Sequence, residues 1–230
     1  MKMILTGGGD SDHFREMDDH FISLLGPNPR LLFIPLAGDH DTWDRGRQRV
    51  RQTFETVQFQ SIDMCLDLSE LEWEDLQRAD AIYLDGGNTF QLMESIRETH
   101  FYELLHRFLF QGGVVNGDSA GAIVLGSHLE TAHFGDEGDD NDTDVISYQG
   151  LNLLGSWAIH CHYKPDEDQE IQEFVTQYGF PVIALAESCG VYIDDYQLWC
   201  IGETPAKIFH PRGQRIIPPQ QNLRLDLFMR

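Results

Sequence analysis

Residues 117–121 read Gly117-Asp118-Ser119-Ala120-Gly121, between the β-branched run "VVN" and the small-residue run "AIVLG". G-x-S-x-G between a strand and a helix is the pattern of a nucleophile elbow, a sharp turn that lifts a serine oxygen clear of the sheet and leaves room only for small neighbours. Gly117, Ala120 and Gly121 meet that demand. The N–H groups at the helix start would face negative charge developing on an attacked carbonyl, which is what acyl transfer requires. A glycine-lined turn with a helix-capping serine would give the same five residues, so other groups must decide.

A serine hydroxyl is a weak nucleophile until a base takes its proton. "AIHCHY" offers His160 and His162 two residues apart on a predicted strand, so both would project from one face, and periodicity does not choose between them. An acid must then hold the imidazole in one tautomer. Glu187 in "VIALAESCG" lies just beyond a predicted strand, and Asp142 in the acidic loop is the competitor. Gly86 and Gly87 of "YLDGGNTF" also follow a predicted strand, and the N–H of either, with that of Ala120, would make a two-donor oxyanion hole. Asn88 or Thr89 would cap the next helix.

Other chemistries are carried less well. His160 and His162 could bind zinc with an acid of "DDNDTD" as third ligand, but no fixed carboxylate or cysteine spacing accompanies them. The acidic loop lacks the Asp/Asn and Gly spacing of a calcium loop. "TGGGDSD" lacks the third glycine of a dinucleotide-binding turn, and Asp10 and Asp12 would repel a pyrophosphate. There is no P-loop lysine.

The elements that must position these groups alternate. "KMILT", "RLLFIPLA", "VQFQSI", "AIYL" and "GVVN" read as strands; helices are predicted over 13–25, 43–56, 69–78, 89–97 and 100–110. This is the β-α-β order of a mostly parallel sheet with helices on both faces. After Gly126 an acidic loop, "AHFGDEGDDNDTD", leads to the strand-like pieces "WAIHCHY", "VIALA", "GVYIDD" and "LWCIG", with a helix over 166–178. Sheet additions and hairpins are expected there. With no repeat and no linker rich in Pro, Gly or Ser, residues 1–230 read as one domain.

The formal charge of -22 opposes nucleic acid or an anionic membrane surface as partner. No window approaches a membrane span, and the N-terminal apolar run is too short for a signal-peptide core, so the expected location is cytoplasmic. Cys65, Cys161, Cys189 and Cys200 are scattered without a C-x-x-C pair and read as reduced core cysteines.

Taken jointly and in order, "DGGNTFQLM", "NGDSAGAIVLG", His162-Tyr163 and the acid of "ALAESCG" resemble the S51 serine peptidases, dipeptidase E-like enzymes and, more distantly, cyanophycinase. The resemblance spans nearly the whole chain. It implies a three-layer, flavodoxin-like α/β fold related to the class I glutamine amidotransferase domain, with serine at the elbow. It further implies Ser119 as nucleophile, His162 rather than His160 as base, since an aromatic residue, Tyr163, follows it, and Glu187 as orienting acid. Asp85 stands where the family's "GGGNTF" has its first glycine; Asp85, Asn88 and Tyr163 are expected to contact substrate. Lys164 is the only base close after the histidine, in "KPDEDQEI", so strict aspartyl specificity is not expected.

The expectation is therefore a serine exopeptidase, dipeptidase-like, acting on short peptides through an acyl-enzyme at Ser119, without metal or organic cofactor. A homodimer is left open. The rival readings are a catalytically silent amidotransferase-like binding module and a metal-dependent hydrolase using His160 and His162.

Overall fold

The computed structural model describes residues 1–9 and 15–228. Asp10, Asp12 and the expected helix start at His13 lie outside them. In chain order the first half holds β1 (Lys2–Thr6), α1 (Arg15–Leu24), β2 (Arg30–Ile34), α2 (Trp43–Thr53), β3 (Ser61–Met64), α3 (Trp73–Arg78) and β4 (Ala81–Leu84). Then come α4 (Thr89–Arg97), α5 (Phe101–Phe110), β5 (Val114–Asp118) and α6 (Ala120–Leu125). The remainder is β6 (Ala158–His160), α7 (Asp168–Tyr178), β7 (Val182–Ala184), β8 (Cys189–Asp194), β9 (Gln197–Gly202), β10 (Ala206–His210), β11 (Gly213–Ile217) and β12 (Asn222–Arg224).

The main sheet runs β12-β9-β8-β1-β5-β4-β2-β3. Its pairings from β1 to β3 are parallel, while β8, β9 and β12 extend it antiparallel beyond β1. The central strands are buried almost throughout, as expected where helices cover both faces. Alternate residues feed two cores. Met3, Leu5, Ile82, Leu84 and Val115 pack with side chains of α4, α5 and α6, whereas Ile4, Phe33, Ala81, Tyr83 and Val114 meet Phe21 of α1 and Val50 of α2.

A second sheet, β11-β10-β7-β6, is the main departure from the expected single sheet. It packs Phe174 and Val175 of α7 on one face and joins the larger core through Ile159, Ile183 and Ile208 on the other. The expected strand "VQFQSI" begins later, at Ser61, because Val57 and Phe59 turn into the core from the preceding loop. The helix expected over 69–78 is split. The Asp67 carboxylate accepts from Ser69 N–H at 2.8 Å and closes a 3₁₀ turn, and Asp75 then accepts from Glu72 N–H at 3.0 Å to open α3.

Candidate active site

The carboxyl ends of β1, β4 and β5 are neighbours, so the loops that follow them meet over one crevice. Ser119 follows β5 with φ 48° and ψ −109°, a strained conformation for a residue with a side chain. The turn is tight enough to exclude larger neighbours: a Cβ on Gly117 would lie 2.6 Å from the Gly121 carbonyl, and one on Gly121 would lie 2.3 Å from that of Leu84. Ser119 makes no side-chain capping bond. Its Oγ lies 2.9 Å from His162 Nε2.

His162 also has positive φ, 55°, and its N–H donates to the Gly7 carbonyl at 2.8 Å. The end of β1 therefore holds the histidine loop. A Cβ on Gly8 would fall 2.2 Å from the imidazole, so a glycine there is what gives the ring its seat. On the far side of the ring, Nδ1 lies 3.3 Å from Glu187 Oε1 and 3.5 Å from Glu137 Oε2. Lys164 Nζ donates to Glu137 Oε1 at 2.7 Å and, as the main cause, holds that carboxyl below its usual range. Glu137, His162 and Glu187 each offer a ligand atom within 4.8 Å of the others, a set of metal-ligating type. Asp142 is exposed in its loop.

His160 does not share the site in the way strand periodicity suggests. β6 ends at His160, and the positive φ of His162 breaks the two-residue alternation. The His160 ring is buried, with Nδ1 3.1 Å from the Thr131 carbonyl and Nε2 2.8 Å from Glu167 Oε2. Burial pulls the Glu167 carboxyl upward, but the His160 and Lys164 hydrogen bonds outweigh it and leave it below the usual range. With both nitrogens bound to protein groups, His160 is a structural strut and is not available to a His160–His162 zinc pair.

The turn after β4 meets the elbow directly. A Cβ on Gly86 would lie 3.4 Å from Ser119 Cβ, and Gly87 has φ 141° and abuts the Ala37 carbonyl. Ala120 opens α6, so its N–H has no acceptor in the preceding turn. Gly86 and Gly87 thus line the same cavity as Ser119, with the Gly86 N–H donating to the Asp85 carboxylate.

The three residues expected to contact substrate are each held by protein groups, and Asp85 and Asn88 line a cavity beside the serine. Asn88 caps α4, its Oδ1 accepting from Phe90 N–H and Gln91 N–H at 2.9 and 3.1 Å while its Nδ2 donates to the Asp140 carbonyl. Tyr163 turns toward the second sheet, donating its hydroxyl to Asp168 at 2.6 Å. Asp85 is buried and ion-paired with Arg49 of α2, whose Nη2 is also 3.8 Å from Asp118 Oδ2. Burial raises the Asp85 carboxyl to about 6 in spite of Arg49, and raises that of Asp118, which also accepts from Thr6 Oγ1 at 2.9 Å.

A cavity of about 380 Å³ holds Ser119 and His162 and is lined by Arg49, Asp118, Glu137, Asp139 and Glu167. A second, of about 590 Å³, adjoins it and shares Arg49, Gly86 and Gly87. A larger hollow, about 970 Å³, lies along β3 and includes none of these groups. Sequence reasoning missed Arg49, Glu137 and Gly8. Gly46, three residues before Arg49 inside a helix, was the one local signal; Gly8 was visible only as part of a failed nucleotide loop.

A model of peptidase family S51 matches residues 3–201. The chain is 28% identical over 225 residues to the "Probable alpha-aspartyl dipeptidase" of Drosophila melanogaster, covering 91% of this chain and 87% of that one. It is 27% identical over 190 residues to a peptidase E of a Nostoc species, covering 78% and 75%. The crystal structure of a peptidase from an acI-B1 actinobacterium superposes with a TM-score of 0.75 at 17% identity, over 97% of this chain and 96% of the other, and so shares the fold. Among the described residues no helix is long and apolar enough to cross a membrane.

Proposed function

The chain belongs to peptidase family S51, a serine peptidase family, and from that premise we propose that it hydrolyses short peptides through an acyl-enzyme on Ser119. The observation that carries the reading is the 2.9 Å contact between Ser119 Oγ and His162 Nε2 at a strained elbow. As Oγ bonds to the scissile carbonyl carbon, its proton passes to Nε2 and the carbonyl electron pair moves onto oxygen. That oxyanion rests on the N–H groups of Gly87 and Ala120, the Gly86 N–H being taken by Asp85. Collapse breaks the C–N bond, and the Nε2 proton leaves with the amine. Water then repeats the sequence and releases the acid, so one water is consumed per turnover. Glu187 holds Nδ1–H and steadies the imidazolium.

The finer fold assignment, a three-layer relative of the class I glutamine amidotransferase domain, is supported by strand order. Counted from β2, the parallel run β3-β2-β4-β5-β1 follows the flavodoxin-like order 2-1-3-4-5, with β1 in the fifth place. Four free, buried cysteines suit the reducing conditions of a cytoplasmic location. Strict aspartyl specificity is not part of this reading, because Lys164 after the histidine is tied to Glu137.

Ser119→Ala is expected to lower dipeptide turnover by at least about a thousandfold while leaving the melting temperature near that of the native chain. Turnover retained at the native rate in a folded Ser119→Ala protein would exclude the mechanism.

A further inference from the structure

A cation reaches the elbow from α2. Arg49 Nη2 pairs with Asp85 and lies 3.8 Å from Asp118, the residue before Ser119. Its side chain is nevertheless 42% exposed. Among the described residues, no protein acceptor meets its Nε or Nη1. It lines both the catalytic cavity and the one that adjoins it across Gly86 and Gly87.

The placement is built. A Cβ at residue 46 would come within 2.8 Å of Asp85 Oδ2 and 3.2 Å of Phe33, so α2 carries a glycine in its interior, against helix propensity, where it closes on the end of β4. Asp85 in turn occupies a position where the resembled motif has glycine. Acid, counter-cation and helix glycine form one device. A guanidinium that served only to neutralise two buried acids would direct its remaining donors into protein; here they are left to the crevice. A guanidinium is planar and presents paired donors, a match for a carboxylate. The same cavity is also lined by Glu137, Asp139 and Glu167, carboxylates that suit an ammonium group.

We propose that Arg49 receives a carboxylate of the peptide substrate, with the C-terminal carboxylate of the leaving residue as its first source and an acidic side chain as the other. This rests on the peptidase reading, because that reading puts the scissile carbonyl between Ser119 and the Gly86–Gly87 turn. A dipeptide then has its free carboxylate about one residue, roughly 3.5 Å of chain, beyond that point.

The test uses calorimetric binding to the full-length Ser119→Ala protein, where no turnover intervenes. Ala-Ala is compared with Ala-Ala amide, and Asp-Ala amide with Asn-Ala amide. At least a tenfold preference for the free acid in the first pair assigns the C-terminal carboxylate; the same preference in the second pair assigns the side chain. Either preference should vanish in Ser119→Ala combined with Arg49→Gln and Asp85→Asn, a combination that removes the cation together with its nearer carboxylate partner, with a thermal melt confirming folding. Equal binding within both pairs, or a preference that survives the Arg49 change, overturns the proposal. The peptidase reading fails separately, on turnover in the Ser119→Ala protein.

Discussion

Two carboxylates stand at His162 Nδ1, and their surroundings rank them. Glu137 already accepts from Lys164 at 2.7 Å, so part of its charge is committed, while Glu187 is the nearer at 3.3 Å. Both side chains are near half exposed, which weakens any single contact through solvent screening. Glu187→Gln is expected to lower kcat on the order of 10–100-fold, less than loss of a fully buried triad acid, and Glu137→Gln to lower it by less than about threefold. Parallel steady-state assays of the two variants check this; the reverse ranking would make Glu137 the orienting acid. The difference between the two also marks what sequence could reveal. Ser119, Gly86, Gly87 and Glu187 each sit at a strand end, where local pattern is informative. Glu137 and Arg49 enter the site from a charged loop and a charged helix, and such residues look like solvated surface until the chain is folded.

At the scale of the element, α1 shows a local rule being overridden. Asp18 lies near the helix start, where the helix dipole favours a carboxylate. Burial, and then the charge of Asp118, nevertheless raise its carboxyl to about 7. A folded-state pKa above the unfolded value of about 4 means that the native state holds the proton more tightly. The resulting stability is complete below about pH 4 and is lost as pH rises through 7. Asp18→Asn, which keeps the neutral form, is therefore expected to stabilise the protein on the order of 2 kcal/mol at pH 8 and hardly at all at pH 4. Melting curves of both proteins across that range measure it; equal shifts at the two ends would remove Asp118 and burial as the cause. Helices with strong caps or apolar stripes were legible to within a residue, as α4 and α5 show. The break between Glu70 and Trp73 was not, because it depends on two acids choosing backbone partners over continued helix.

For the whole molecule, the second sheet was the least legible feature. β6 and β7 were legible as strands in "WAIHCHY" and "VIALA", but not as members of a separate sheet, and β10 and β11 fall in a stretch with little apolar alternation on the exposed side, so pairing rather than pattern defines the sheet. That sheet matters to the proposed function because β6 carries the chain to His162 and β7 leads to Glu187, joining the proposed base and its orienting acid by one parallel pair. Charge acts on the same scale. Thirty-eight acidic residues against sixteen lysines and arginines leave -22 to be confined in one compact body, and self-repulsion opposes folding. Sodium chloride at 0.3 M shortens the Debye length to below about 8 Å, which screens repulsion between surface acids far apart more than it weakens the half-buried Arg49–Asp85 pair. The melting temperature is expected to rise on the order of 5 °C between 0.02 and 0.3 M salt, equally with sodium or potassium, as calorimetric scans would record. A fall would mean that attraction within ion pairs such as Lys207–Asp168 and Lys164–Glu137 outweighs the net repulsion. It would make these pairs, rather than the acid excess, the dominant electrostatic contribution to the fold.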